Sequence, residues 1–127
     1  MALYLVQHGL SASKDVDPEK GLTSLGISET ERIAQVAKGY GIRVKKIVHS
    51  GKKRAYQTAA IFHRVLSLNT PLEVVSGINP QDDPVIFAEK ISLETNVMVI
   101  GHLPFMQHLV SYLTTGSSET RVYKFQN

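Results

Sequence analysis

Short apolar runs and longer amphipathic stretches alternate along this chain, and the two patterns predict strands and helices in turn. The runs are rich in β-branched residues and end at glycine, proline or polar residues, as buried strands do. Strands are predicted from Leu3 up to Gln7-His8-Gly9, and at 46–49, 71–75, 96–100 and 120–125. The first and fourth runs end alike, because each stops at a histidine beside a glycine.

Apolar positions at helical spacing predict helices between these strands. The helices are expected from a cap at Thr23 or Ser24 to about 38, from 53 to 66, from a cap at Asp82 or Asp83 to about 92, and from 104 to 113. Their buried positions are expected to be Ile27, Thr30, Ala34 and Ala37 in the first, Ala55, Thr58, Ala59, Phe62 and Leu66 in the second, and Met106, Leu109, Val110 and Leu113 in the last.

The regular alternation of strand and helix predicts an α/β fold with a doubly wound, mostly parallel sheet and right-handed crossovers. The length of 127 residues and a hydrophobic content of 43 % fit one domain over residues 1–127 with a substantial core. No apolar run approaches the length of a membrane span, and no secretory signal is recognisable, so a cytoplasmic location is expected. The absence of cysteine excludes disulfides and a thiolate nucleophile.

The charge of the chain is mildly basic, with a formal net value of +3. Six of the fourteen lysines and arginines lie between Arg43 and Arg54, which favours an anionic ligand. A solvated basic face explains Arg43, Lys45 and Lys46 equally well. Binding of nucleic acid is disfavoured, because aromatic residues suited to stacking do not alternate with these cations.

Three separated segments follow predicted strands and carry the candidate chemistry. They are Gln7-His8-Gly9, the stretch from Ser50 to Ala59, and Gly101-His102. The carboxyl ends of parallel strands share one edge of the sheet, where ligands bind in open α/β folds, so these segments are expected to converge. A lone histidine at a strand end would more often be a hydrogen-bonded core residue, and the convergence is what favours a site.

The order and spacing of these segments resemble the histidine phosphatase superfamily, and the small size without an inserted cap domain resembles its SixA-type phosphohistidine phosphatase branch. The most specific segment is Arg54-Ala55-x-Gln57-Thr58-Ala59. The resemblance covers nearly the whole chain. It implies a phosphoglycerate mutase-like, three-layer α/β/α sandwich and hydrolysis of a phosphoryl group, above all that of protein phosphohistidine.

The resemblance also implies the roles of individual residues. His8 would attack phosphorus and form a covalent phosphohistidine that water hydrolyses. Arg54 would grip two phosphoryl oxygens through its guanidinium, and a protonated His102 would stabilise the transferring charge. The residues expected to bind phosphate are Gln7, Gly9, where a side chain would obstruct the approach, and Ser50. No metal or cofactor is expected, since the remaining histidines have no acidic partners beside them.

Gln7 is the main departure from the family pattern, because the superfamily normally has arginine at that position. Loss of the charge is expected to weaken phosphate stabilisation by about tenfold, unless Lys52 or Lys53 compensates. Asp82 and Asp83 lie where a proton donor is usual, but each can equally be a helix cap.

Two further departures concern Leu10 and the end of the chain. Leu10 stands where many relatives have a carboxylate. The family sheet continues beyond Phe125, so the edge strand is expected to be short, open or covered by a partner chain.

Two functions therefore follow from the sequence. The first is a phosphatase acting on a phosphorylated protein, such as a histidine phosphotransfer domain, or on a small phosphorylated molecule. The alternative is a catalytically weak module that binds phosphate or a phosphoprotein, which Gln7 and the missing acid would explain. Neither needs a membrane or nucleic acid.

Overall fold

The computed structural model describes residues 3–91 and 96–115, which form parallel strands connected by helices. The strands are β1 (Leu3–Gln7), β2 (Lys46–His49), β3 (Glu73–Val74) and β4 (Val97–Gly101). The helices are α1 (Ser24–Gly39), α2 (Lys53–Val65), α3 (Pro84–Ile91) and α4 (Phe105–Thr115). The strand predicted at 120–125 lies outside the described residues. None of the helices in the described ranges is long and apolar enough to cross a bilayer.

The sheet has the order β1-β4-β2-β3, and every neighbouring pair is parallel. Gln7 on β1 is in register with Gly101 on β4, while His49 on β2 is in register with Ile100. Three strands therefore end at nearly the same level, which brings the segments that follow them to one edge. This confirms the predicted α/β class and its parallel sheet.

Helices cover both faces of the sheet, and the side chains of β4 show how the layers are divided. Val97 and Val99 pack towards α3 and α4, where they join a cluster with Phe87, Phe105 and Leu109. The alternate residues of β4 point the other way and pack with buried residues of α1 and α2. That second cluster includes Met98, Ile100, Ala34, Ala55, Ala59 and Phe62. The result is the expected three-layer α/β/α sandwich.

Helical spacing predicted most of the buried positions. It did not predict where along each helix the contact with the rest of the fold ends. Met106 and Leu109 are fully buried, whereas Leu113, one turn further along α4, is 41 % exposed. In α1, Ile27 is 36 % exposed instead of buried, because Gly26 and Thr30 make the closest contacts of that helix. β1 is half-buried, since it is the end strand of the described sheet.

The start of α1 packs directly on the loop that follows β1, and Gly26 permits the contact. Thr23 caps the helix by accepting a hydrogen bond from the Gly26 amide at 2.9 Å, and its own amide donates to the Leu10 carbonyl at 3.0 Å. A methyl group on Gly26 would overlap that carbonyl. We therefore expect Gly26→Ala to lower the free energy of unfolding by about 1–3 kcal/mol, as overpacking does.

The matched control is Gly39→Ala at the other end of α1, where a methyl group would meet open space. Glycine to alanine within a helix ordinarily stabilises by up to about 1 kcal/mol, so the two variants should shift the urea midpoint in opposite directions. Equal shifts would show that the packing of α1 on the Leu10 loop is looser than described.

Candidate active site

Two histidines lie side by side where β1 and β4 end. The amide of His8 donates to the carbonyl of Gly101 at 3.0 Å, which extends the pairing of the two strands by one residue. The rings of His8 and His102 lie 5.0 Å apart between centroids, with an angle of 54° between their planes. The strand register therefore sets the separation of the pair. Two of the predicted site residues are brought together by the sheet itself.

His8 is held in one tautomer by its neighbour in the chain. Its Nδ1 lies 2.7 Å from the carbonyl oxygen of Gly9. Since a carbonyl only accepts, Nδ1 carries the hydrogen and Nε2 of the neutral ring keeps its lone pair. Burial lowers the pKa of His8 below 6.5, and the positive charges of Arg54 and Lys20 lower it further, against the raising effect of the bond to Gly9. His8 is thus a neutral imidazole with a nucleophilic Nε2.

His102 is 1 % exposed, and burial is the main reason that its pKa is lowered to about 3. Electrostatic interaction with His8 and the positive charges of Arg54, Lys52 and Lys20 act in the same direction. The ring is therefore neutral near pH 7. Protonation of His102 as it stabilises the transferring group stays a prediction.

Arg54 lies in the first turn of α2, which begins after Lys52 without a side-chain cap. The first turn contains no acidic residue, so a cation lies near the positive end of the helix dipole. Burial lowers the pKa of the guanidinium, and its charge acts on both His8 and His102. An anion at this point would relieve both the repulsion among the cations and the unsatisfied helix end.

The remaining cations of the region divide between the loop and the site. Lys53 is bound in the loop, with its ammonium 3.1 Å from Asp17 Oδ2 and 3.8 Å from Glu19 Oε2. Lys52 lowers the pKa of His102. Lys20, which the sequence did not single out, lowers the pKa of both site histidines.

Lys20 reaches this region because the loop between β1 and α1 is fixed on the start of α2. Asp17 accepts hydrogen bonds from the amides of Glu19 and Gly21, each at 3.0 Å, and Lys20 has a left-handed backbone with a φ of 53°. Gly21 lies so close to α2 that a methyl group on it would come within 2.7 Å of Lys53 Cε. The backbone of residue 20 is thereby held over the helix turn that carries Arg54.

Gln57 and Thr58, the polar residues of the family segment, support this arrangement. The Leu22 amide donates to Gln57 Oε1 at 2.7 Å, which secures the same loop to α2. Thr58 Oγ1 accepts from the Gly9 amide at 3.0 Å and donates to the carbonyl of Arg54 at 2.9 Å. The two contacts with Leu22 and Gly9 are long-range and could not be read from the spacing of the segment.

Gly9 also has a structural role in the packing of the end of β1 on α1. A methyl group there would come within 2.5 Å of Thr30 Oγ1 on α1. The absence of a side chain therefore permits packing of the strand end on the helix, and the Gly9 amide is already engaged by Thr58. A contact between Gly9 and phosphate stays a prediction.

Gln7 lines a cavity of about 240 Å³ together with His8, Gly9 and residues of α1 and α2. Its Oε1 is buried and has no hydrogen-bond partner among the described residues. Gln7 therefore lies beside the nucleophile, where the family arginine would be expected, and its role in phosphate binding stays a prediction.

The acidic candidates have local roles. Asp82 Oδ2 accepts from the Asn79 amide at 2.8 Å, and Asp83 Oδ1 accepts from the Val85 amide at 3.0 Å at the start of α3. These contacts are those of a turn and a helix cap. The charged groups that lower the pKa of the site histidines are all cationic.

Comparison with known proteins agrees with this site. The sequence model of the histidine phosphatase superfamily (branch 1) matches residues 3–79, which include His8 and Arg54. Phosphohistidine phosphatase SixA of Escherichia coli K12 is 28 % identical over 124 residues, covering 93 % of this chain and 77 % of that protein.

Solved structures give the same result. The protein histidine phosphatase SixA complexed with tungstate superposes with a TM-score of 0.81 at 28 % identity, over 89 % of this chain and 76 % of that chain. A SixA structure from Agrobacterium tumefaciens gives 0.73 at 25 % identity, over 86 % and 73 %. Phosphoglycerate mutase of Plasmodium falciparum, at 18 % identity and a TM-score of 0.65 over 86 % and 65 %, shares the fold.

These matches confirm the predicted resemblance, the phosphoglycerate mutase-like fold and the enzyme class, a phosphatase. The chain belongs to the histidine phosphatase superfamily.

Proposed function

We propose that this protein hydrolyses the phosphoryl group of protein phosphohistidine through a covalent intermediate on His8. The observation that carries the proposal is the state of His8, a neutral ring whose Nδ1 is engaged by Gly9 and whose Nε2 keeps its lone pair among cations. Such a nitrogen is a competent nucleophile towards phosphorus, and the surrounding cations offset the charge of the phosphoryl oxygens.

The reaction takes two steps. Nε2 of His8 gives its lone pair to phosphorus as the phosphorus–nitrogen bond of the substrate imidazole breaks, and the departing nitrogen takes a proton from water. A water molecule then attacks phosphorus and gives a proton to the hydroxide left by the first step, the bond to Nε2 breaks with its electron pair returning to His8, and inorganic phosphate leaves. Arg54, with its planar donors, holds the peripheral oxygens in both steps.

Lys20 supplies part of the positive charge that Gln7 lacks. Lys53, one of the two lysines expected to compensate, is bound by Asp17 and Glu19 at the loop. Lys20 is half-buried, its backbone is fixed over the first turn of α2, and its charge acts on both site histidines. We assign it to the phosphate site, together with Lys52 beside His102.

Phosphohistidine is the favoured substrate because of its leaving group. A protonated imidazole nitrogen departs more easily than an alkoxide, so a strong acid beside the leaving group is less important. Asp82 and Asp83, the two candidates for that acid, have turn and capping contacts. The sequence relative from Escherichia coli is a phosphohistidine phosphatase, and a structural relative is the protein histidine phosphatase SixA. The partner we propose is a phosphorylated protein, such as a histidine phosphotransfer domain of a cytoplasmic signalling system.

The test is phosphate release by the intact protein from a phosphohistidine-containing phosphotransfer domain, compared with phosphoserine and phosphotyrosine peptides and a sugar phosphate. We expect release from the phosphohistidine protein at a rate at least about tenfold above the others, and an acid-labile label on the enzyme in rapid-quench samples. Tight binding of the phosphoprotein without turnover would instead establish the alternative, a phosphoprotein-binding module. Preferred turnover of the sugar phosphate would overturn the substrate class alone.

A further inference from the structure

The two ring nitrogens of His102 have unlike surroundings. Nε2 lies 2.6 Å from the hydroxyl oxygen of Ser50. Nδ1 is buried and has no hydrogen-bond partner within the described part of the chain. Because burial lowers the pKa of His102 to about 3, the ring is neutral near pH 7 and only one of these nitrogens carries a hydrogen.

The hydroxyl of Ser50 decides which nitrogen that is. Its oxygen accepts a hydrogen bond from the Lys52 amide at 3.4 Å. The hydroxyl hydrogen needs an acceptor, and the contact available to it among the described residues is Nε2 of His102. A hydrogen on Nε2 would point at the hydroxyl oxygen and leave the hydroxyl hydrogen without an acceptor. The Lys52 amide, the Ser50 hydroxyl and Nε2 of His102 are all paired if Ser50 donates, and the hydrogen of the neutral ring is then on Nδ1, where no described residue pairs with it.

We infer that Ser50 is a positioning residue that fixes His102 as the Nδ1–H tautomer, so that His102 presents a neutral donor to the phosphoryl group. The inference rests on the proposed function, in which His102 contacts the phosphoryl group transferred to His8. Nε2 is occupied by Ser50, so Nδ1 is the nitrogen left for a ligand. Its hydrogen attracts a phosphoryl oxygen, whereas a lone pair at the same place would repel it.

This assignment changes the predicted roles of two residues. Ser50 acts on the phosphate through His102 instead of binding it directly. His102 acts as an oriented hydrogen-bond donor, while the positive charge of the site comes from Arg54 and the lysines. The ring of His102 lies 5.0 Å from that of His8, and in the inferred arrangement a phosphoryl group on His8 supplies the partner that Nδ1 lacks.

The experiment combines nitrogen NMR with kinetics on the ¹⁵N-labelled full chain, with the signals of His102 identified by their loss in His102→Gln. The wild type should show the Nδ1–H tautomer of His102. Ser50→Ala should show mixed or reversed tautomers and a kcat for phosphohistidine hydrolysis lower by about tenfold, the effect of one hydrogen bond. Ser50→Thr, which keeps the hydroxyl, should restore both the tautomer and most of the rate.

A purely structural role for Ser50 would lower the rate without changing the tautomer, and that result would overturn the inference. An Nε2–H tautomer in the wild type would overturn it as well. The NMR readout does not depend on turnover, so its failure is distinct from failure of the proposed function, which would appear as a wild type that releases no phosphate.

Discussion

Replacing His8 with alanine is expected to reduce phosphate release from phosphohistidine protein by about a thousandfold or more, because the substitution removes the only group proposed to bond to phosphorus. The cations around the site would remain and could still bind the substrate. Binding of the phosphoprotein should therefore change much less than turnover. This separation of binding from catalysis is the signature of a lost nucleophile.

Initial rates and rapid-quench labelling check this expectation. The wild type should carry an acid-labile phosphoryl group that His8→Ala lacks. His63→Ala is the matched control, since His63 lies on α2 with its Nε2 2.8 Å from the Thr70 carbonyl, outside the proposed site. Its rate and labelling should equal those of the wild type, and its unfolding midpoint shows the general cost of losing a histidine. Full activity in His8→Ala would exclude the covalent mechanism.

Lys20→Met is expected to lower kcat/KM by about tenfold and Gln7→Arg to raise it by about tenfold, because each changes one charged hydrogen bond to the phosphoryl oxygens. If Lys20 replaces the charge that Gln7 lacks, arginine at position 7 should make the lysine less important. The combined variant should then stay close to the rate of Gln7→Arg, above that of the wild type, whereas two independent tenfold effects would cancel and return the wild-type rate. A double-mutant cycle measures this dependence directly.

Lys14→Met is the matched control for this cycle, because it removes the same charge from an exposed position of the same loop. Its kcat/KM should stay within about twofold of the wild type, as expected for a screened surface charge. Equal losses in Lys14→Met and Lys20→Met would show that Lys20 acts only through the general positive potential. A combined variant as slow as Lys20→Met would show that position 7 does not reach the phosphoryl group.

The central part of the site could be predicted from the sequence because it depends on strand ends. His8 and His102 each follow a short apolar run, and a parallel sheet places such ends at one edge. The register of Gln7 with Gly101 then sets the distance between the two histidines. Arg54 follows from its place at the start of the helix after β2. The order of strands and helices along the chain is therefore enough to predict that these three residues lie close together.

Lys20 could not be predicted, because its place depends on a loop folding back over α2. The turn needs Asp17 to accept two amides, a left-handed residue at 20 and close packing of Gly21. None of these contacts has a periodic pattern. The neutral state of His102 escaped prediction for a related reason, since it results from burial and from the charges of several segments together.

The hydroxyl of Thr58 has a consequence for how this site operates. A single oxygen joins the backbone beside the nucleophile to the backbone of Arg54, through contacts of 3.0 Å to the Gly9 amide and 2.9 Å to the Arg54 carbonyl. The backbones that carry nucleophile and guanidinium are thus braced against each other before any phosphate arrives. A site preorganised in this way avoids most of the reorganisation cost of binding charge. Recognition of the phosphoryl group then depends on how well the substrate fits the positions that Thr58 already holds.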